Sequence, residues 1–181
     1  MRNIAILFLL ALSINASAQK LGISYFGHYA ILPGAKLSYQ LTPSSLELAK
    51  KPLILQPEVG WFMEPDNYHD FLFNVNVGQQ IKNVNKKSYW SYGLGLGYIL
   101  ESKITSFSQN LGNGNRENVE RDTFHFFHPS ANFGWHSNIS SKSDLFLKYT
   151  LGYKMLSEAP SVLTMFLEFG IEIDLKKRSD E

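Results

Sequence analysis

Histidine, serine, lysine and the carboxylates are the residues from which this chain could build a chemical site, because its 181 residues include no cysteine. That absence removes thiol nucleophiles, thiol redox couples, Cys-based metal centres and a disulfide scaffold together. Of the five histidines, His125 and His128 stand three apart in an alternating apolar and polar segment. On a strand they face opposite ways and cannot share a metal ion. His128 and His136 do share a face, but positions eight apart on an extended strand are separated by about 26 Å. His136 and Ser137 are adjacent, and adjacent strand residues point apart, so this base could not reach this nucleophile. The one dense group of charges is Lys148 and Lys154 with Glu168, Glu172 and Asp174, on the polar phases of two consecutive C-terminal segments. With a turn centred near Ala159, Lys148 falls opposite Gly170 and diagonal to Glu168 and Glu172. Such a group could bind an ion or exchange protons. We read it as a charge-paired interior that neutralises its members away from bulk water. No catalytic, cofactor-binding or metal-binding residue is expected.

The elements that must position these charges are strands. From Leu163 to Leu175 the odd positions Leu163, Met165, Leu167, Phe169, Ile171, Ile173 and Leu175 are apolar. Thr164, Glu168, Gly170, Glu172 and Asp174 alternate with them, and only Phe166 breaks the pattern. A period of two is that of an extended strand with one apolar and one polar face. Read with that template, the chain divides into eight segments at roughly 20–32, 34–42, 52–63, 69–82, 88–102, 121–137, 142–156 and 161–175, separated by Gly, Pro, Asn, Ser or Lys clusters. The fifth sets Trp90, Tyr92, Leu94, Leu96, Tyr98 and Leu100 against Ser91, Gly93, Gly95 and Gly97. The seventh sets Leu145, Leu147, Tyr149, Leu151, Tyr153 and Met155 against Phe146, Lys148, Thr150, Gly152 and Lys154. Pro57 and Pro129 fall inside strands, where each deletes a ladder hydrogen bond, and bulges are expected there.

Glycine decides which face is inside. Gly22, Gly60, Gly78, Gly93, Gly95, Gly97, Gly134, Gly152 and Gly170 all lie on the polar phase. Small residues relieve crowding in a narrow, curved barrel, whereas lipid imposes no volume limit on the leucines and aromatics of the other phase. The polar face is therefore the lumen and the apolar face the lipid contact, the reverse of a soluble lipocalin-type carrier, which is the alternative arrangement. Phe26, Phe62, Phe146 and Phe166, on the inward phase, plug the centre. Trp61, Trp90, Tyr92, Tyr98, Trp135, Tyr149 and Tyr153 are placed for interfacial girdles.

The expected domain plan has three parts. Residues 1–18 read as a secretory signal peptide: Arg2, an apolar run from Ile4 to Leu12, and Ala16-Ser17-Ala18 before the cut at Gln19. Residues 19–175 form the barrel domain, and residues 176–181 are a charged, solvated tail. No later segment is apolar for 18 residues, so membrane helices are excluded. A net charge of +1 with mixed signs gives no footprint for nucleic acid. The longest connection, Lys103 to Glu120 around Gln109-Asn110-Leu111-Gly112-Asn113-Gly114-Asn115, follows an odd-numbered strand and so faces outward when both ends of the barrel are periplasmic. That loop and the one from Glu64 to Asp70 are the places for an extracellular ligand.

On this pattern the chain resembles the small outer-membrane β-barrels of Gram-negative bacteria, the eight-stranded group that includes OmpX-like and OmpA-like barrels. The most motif-like piece is Gly170-Ile171-Glu172-Ile173-Asp174-Leu175, similar to the end strand by which such proteins are recognised by the barrel-insertion machinery. The resemblance implies an all-β, eight-stranded antiparallel up-and-down transmembrane barrel in the outer membrane, surrounded by lipid, with a filled lumen, no cofactor, and a structural or loop-mediated binding role. One enzymatic alternative has the same fold: outer-membrane lipid A deacylases carry a His-x-Ser-Asn element, to which His136-Ser137-Asn138 is similar but for the missing intervening residue.

Overall fold

The computed structural model describes residues 16–28, 33–43, 46–64, 68–82, 87–108, 118–156 and 159–175. Residues 1–15 of the expected 1–18 signal peptide and the charged tail from 176 onward lie outside them, while residues 16–18 are described as the start of the first strand. Eight long strands follow one another: β1 (Ala16–His28), β2 (Gly34–Pro43), β3 (Ile54–Glu64), β4 (Tyr68–Lys82), β5 (Ser88–Ser108), β6 (Asn118–Ser140), β7 (Ser143–Leu156) and β8 (Ala159–Asp174). Each pairs antiparallel with its sequence neighbours, and β1 pairs with β8 to close the barrel. Closure leaves no sheet edge within the wall, the condition for a sheet to span hydrocarbon.

The two phases face as their composition demands. Leu94 is 71% exposed and Leu96 62%, and Ile23, Leu37, Val75, Phe169 and Ile171 share that outer surface. The girdle candidates Trp90, Tyr92, Tyr98, Tyr149 and Tyr153 are exposed, and Trp61 and Trp135 are half-buried. Phe26, Phe62, Phe146 and Phe166 are all at most 2% exposed, inside the barrel.

Three expectations are corrected. Pro57 and Pro129 cause no bulge: Pro57 stays opposite Val75 and Pro129 opposite Leu96 in unshifted registers. In an antiparallel ladder a residue directs its N–H and C=O toward one neighbour only. A proline therefore forfeits a rung on one side while the other side keeps its register. The observed irregularities lie elsewhere, between Ala16 and Ala18, Ile104 and Ser106, Asn138 and Ser140, and Ala159 and Val162. The β7–β8 register puts Lys148 opposite Glu168, and Gly170 opposite Phe146, two residues from the expected pairing. Finally, β5 and β6 run on past the expected ends at 102 and 121 and take up half of the expected Lys103–Glu120 loop.

The long β2–β3 connection is itself ordered. A small hairpin pairs Glu47–Leu48 with Lys51–Pro52 through Ala49 and Lys50, whose φ values are 54° and 62°. Such turns usually need Gly or Asn. Here Gln79 holds the turn from outside, its amide donating to Leu48 O at 2.7 Å and Lys51 O at 3.3 Å.

Gly78 and Gly93 face each other across the β4–β5 ladder. A Cβ on Gly93 would lie 2.8 Å from Val77 O and 3.2 Å from Gly78 Cα, and this is backbone that cannot step aside. Gly93→Ala is expected to destabilise the barrel by about 1–3 kcal/mol through overpacking. Leu94→Arg, one residue on and facing lipid, should cost about 2–4 kcal/mol if it sits near the bilayer midplane. Urea unfolding of the barrel in lipid vesicles checks both, and full tolerance of Leu94→Arg would mean that the faces are wrongly assigned.

Candidate functional site

The inward phases converge on a lumen filled by stacked layers. At the end where β1 begins and β8 finishes, Lys20 Nζ contacts Asp144 Oδ2 and lies 3.0 Å from Tyr89 OH. Tyr89 OH donates to the same carboxylate at 2.8 Å, and Asn138 Nδ2 donates to its other oxygen at 2.5 Å. Asp174 is half-buried at this rim, opposite Lys20 in the β1–β8 register. Above the rim, the His136 ring stacks between Tyr89 and Phe146, with ring centroids 4.5 Å and 5.7 Å away.

The middle layer is a closed ring of alternating charge. Glu58 accepts from Lys148 at 2.5 Å and from Lys36 at 3.0 Å. Glu168 completes the ring, in contact with Lys36 and 3.3 Å from Lys148. All four side chains are at most 5% exposed. Ser24 Oγ donates to Glu168 at 2.8 Å, and Asn74 Nδ2 lies 3.4 Å from Glu58. Each ion thus has two partners of opposite sign, the arrangement that offsets desolvation in a low-dielectric interior.

Next comes an apolar plug of Phe26, Phe62, Phe166, Leu72 and Ile99. Phe26 stacks on Phe166 at 4.5 Å, and Phe62 meets both edge-on at 5.2 Å and 5.5 Å. His128 lies beside it, its Nε2 2.9 Å from Thr164 Oγ1. Beyond the plug, Lys154 reaches Asp70 at 2.5 Å and Glu101 at 2.7 Å, with its ammonium 5.3 to 5.7 Å from the Phe62, Tyr68 and Phe126 rings.

The five charges singled out from sequence are thus divided among layers: Lys148 and Glu168 in the central ring, Lys154 beyond the plug, Glu172 near His136, and Asp174 at the rim. Sequence reasoning missed Lys20, Lys36, Asp70, Glu101 and Asp144 as members. Glu58 was missed as well, because the period of two names a face but not the partner across the lumen. His125 is exposed on the outer face beside Tyr98, His128 and His136 are buried inside, and Ser137 points away from His136. Among the described residues no three His, Asp or Glu side chains are placed to hold a metal ion.

A closed sheet with an apolar exterior and a charge-paired, plugged interior defines a transmembrane β-barrel without an open pore. Its fold is that of the small eight-stranded outer-membrane proteins. No family model matches the sequence, and no curated protein matches it. Among solved structures, a major outer membrane protein from Thermus thermophilus aligns with a TM-score of 0.66 at 6% identity, over 87% of this chain and 98% of that one. Neisserial surface protein A aligns with a TM-score of 0.56 at 10% identity, over 86% of this chain and 94% of that one. The outer membrane enzyme PagL aligns with a TM-score of 0.53 at 9% identity, over 85% and 98%. Identities this low establish a common fold and nothing finer.

Removing one member of the central ring strands buried charge. Lys148→Ala is expected to destabilise the barrel by about 3–5 kcal/mol. Adding Glu168→Gln to it should recover part of that loss, because one of the two orphaned carboxylates is then neutral. Urea unfolding of the single and double variants tests the coupling, and strictly additive losses would show that the ring does not act as a unit.

Proposed function

We propose that this chain is an integral outer-membrane protein of a Gram-negative bacterium, exported behind a cleaved leader, whose role is structural or adhesive and whose binding surface is its outer hairpin. One observation carries the reading. The β5–β6 ladder continues to Phe107 opposite Val119 and Ser108 opposite Asn118, whereas β4 pairs with β5 only as far as Lys103 and β7 with β6 only as far as Phe127. Four further residue pairs, from Ile104 opposite Arg121 to Ser108 opposite Asn118, extend about 14 Å past the described end of β4. The Asn- and Gly-rich connection between residues 108 and 118 that follows this stalk lies outside the described residues. Long outer connections and short inner turns are the usual asymmetry of such barrels, and connecting segments carried on a rigid scaffold are common binding sites. The filled lumen argues against a diffusion pore.

The second reading is enzymatic, a lipid A deacylase, and the fold shared with the outer membrane enzyme PagL supports an enzymatic barrel. His136 is buried in the lumen while its neighbour Ser137 faces the other way, so the sequence element similar to the deacylase one does not assemble. Incubating the purified barrel with lipid A and finding no released fatty acid ends this alternative.

For the main reading, protease added to intact cells is expected to cut between residues 108 and 118 and leave the barrel protected. Cleavage there only after the outer membrane is permeabilised would invert the orientation. Replacing residues 106–119 by a short turn should preserve heat-modifiable gel migration, the mark of a folded barrel, and abolish retention on immobilised glycans or matrix proteins. Undiminished retention would move the binding surface elsewhere.

A further inference from the structure

Catalytic residue types do assemble in this barrel, across three strands and inside it. Ser91 Oγ on β5 lies 2.8 Å from His136 Nε2 on β6, and His136 Nδ1 faces Glu172 Oε2 on β8 at 3.4 Å. The histidine ring is clamped between Tyr89, parallel to within 7°, and Phe146. Gln80 sits directly opposite Ser91 in the β4–β5 register, with its side-chain amide also within reach of the Tyr89 hydroxyl. Gln80, Ser91, His136 and Glu172 line one cavity of about 20 Å³, which Gln56 and Asn132 also border. A cavity of that size has room for about one water.

We propose that Ser91, His136 and Glu172 form an acyl-transfer site for small acyl esters. This is independent of whatever the outer hairpin binds. Ser91 Oγ adds to the ester carbonyl carbon while its proton passes to His136 Nε2. The carbonyl oxygen becomes an oxyanion, for which the Gln80 amide, opposite Ser91 in the register, is the donor once it exchanges its contact with Tyr89. The carbon–oxygen bond to the alcohol then breaks, and His136 returns the proton to that alcohol oxygen. Water repeats the sequence on the acyl-serine: its proton goes to His136, the carboxylic acid leaves, and Ser91 is restored. Glu172 is a positioning residue. It favours the tautomer with the proton on Nδ1, leaving Nε2 free to accept. At 3.4 Å the contact is longer than a formed hydrogen bond, as is common before substrate tightens such a site. The small volume of the cavity favours the shortest acyl groups.

The test uses the full barrel folded in detergent micelles, p-nitrophenyl acetate as the probe, and mass mapping of acetylated peptides. Ser91 is expected to acetylate faster than the exposed Ser140, and His136→Gln should slow that labelling about a hundredfold or more, the usual worth of a general base. Glu172→Gln should lower the rate and shift the pH at which it is half-maximal. Heat-modifiable migration confirms that each variant is folded. Labelling of Ser91 no faster than Ser140, or unchanged in His136→Gln, overturns the proposal. Should His136→Gln fail to fold, the unmodified protein decides: labelling that rises with pH between about 5 and 8 supports a histidine base, and flat labelling refutes it.

Discussion

Hydrocarbon offers no partner to a peptide N–H or C=O, so a sheet is stable in a bilayer only when its first and last strands find each other. Here that requirement is met by the ladder from Lys20 opposite Asp174 to His28 opposite Phe166. The two strands are the most distant in sequence, so their pairing carries the largest loop-closure cost. Once the ring is closed, the alternation of every strand becomes an alternation of solvents. One phase meets acyl chains, and the other meets its counterparts across a space wide enough only for side chains.

That narrow space explains the interior chemistry. Charges turned away from water must be paired, and a ring of eight strands brings partners together that are far apart along the chain: Lys148 with Glu58, Lys154 with Asp70, and Lys20 with Asp144. The aromatic plug of Phe26, Phe62 and Phe166 separates two of these layers, so each set of charges is satisfied within its own level. Glycine fits the same logic. Where Gly78 meets Gly93 the two backbones approach so closely that no side chain has room.

Function then separates by location. The wall is committed to the membrane and the plugged core to stability, which leaves the extended β5–β6 hairpin on one side and the small polar cavity around His136 on the other. The two are separated by the Phe plug and the central ion ring, so they can be studied and altered independently.

The existence of eight strands, the lipid-facing phase, the inward glycines and the filling phenylalanines were all legible in the sequence, because a strict period of two encodes which residues share a surface. Relations between surfaces were not encoded that way. Ser91 comes beside His136 because β5 and β6 are neighbours in register, and Glu172 reaches the same ring from β8 across the lumen. Lys148 meets Glu168 because the β7–β8 turn sets the register two residues from where an even count would put it. Alternation along a strand is a local property, fixed by backbone geometry at each residue. Which strands neighbour one another, at what stagger, and what they hold between them is decided only when the barrel closes.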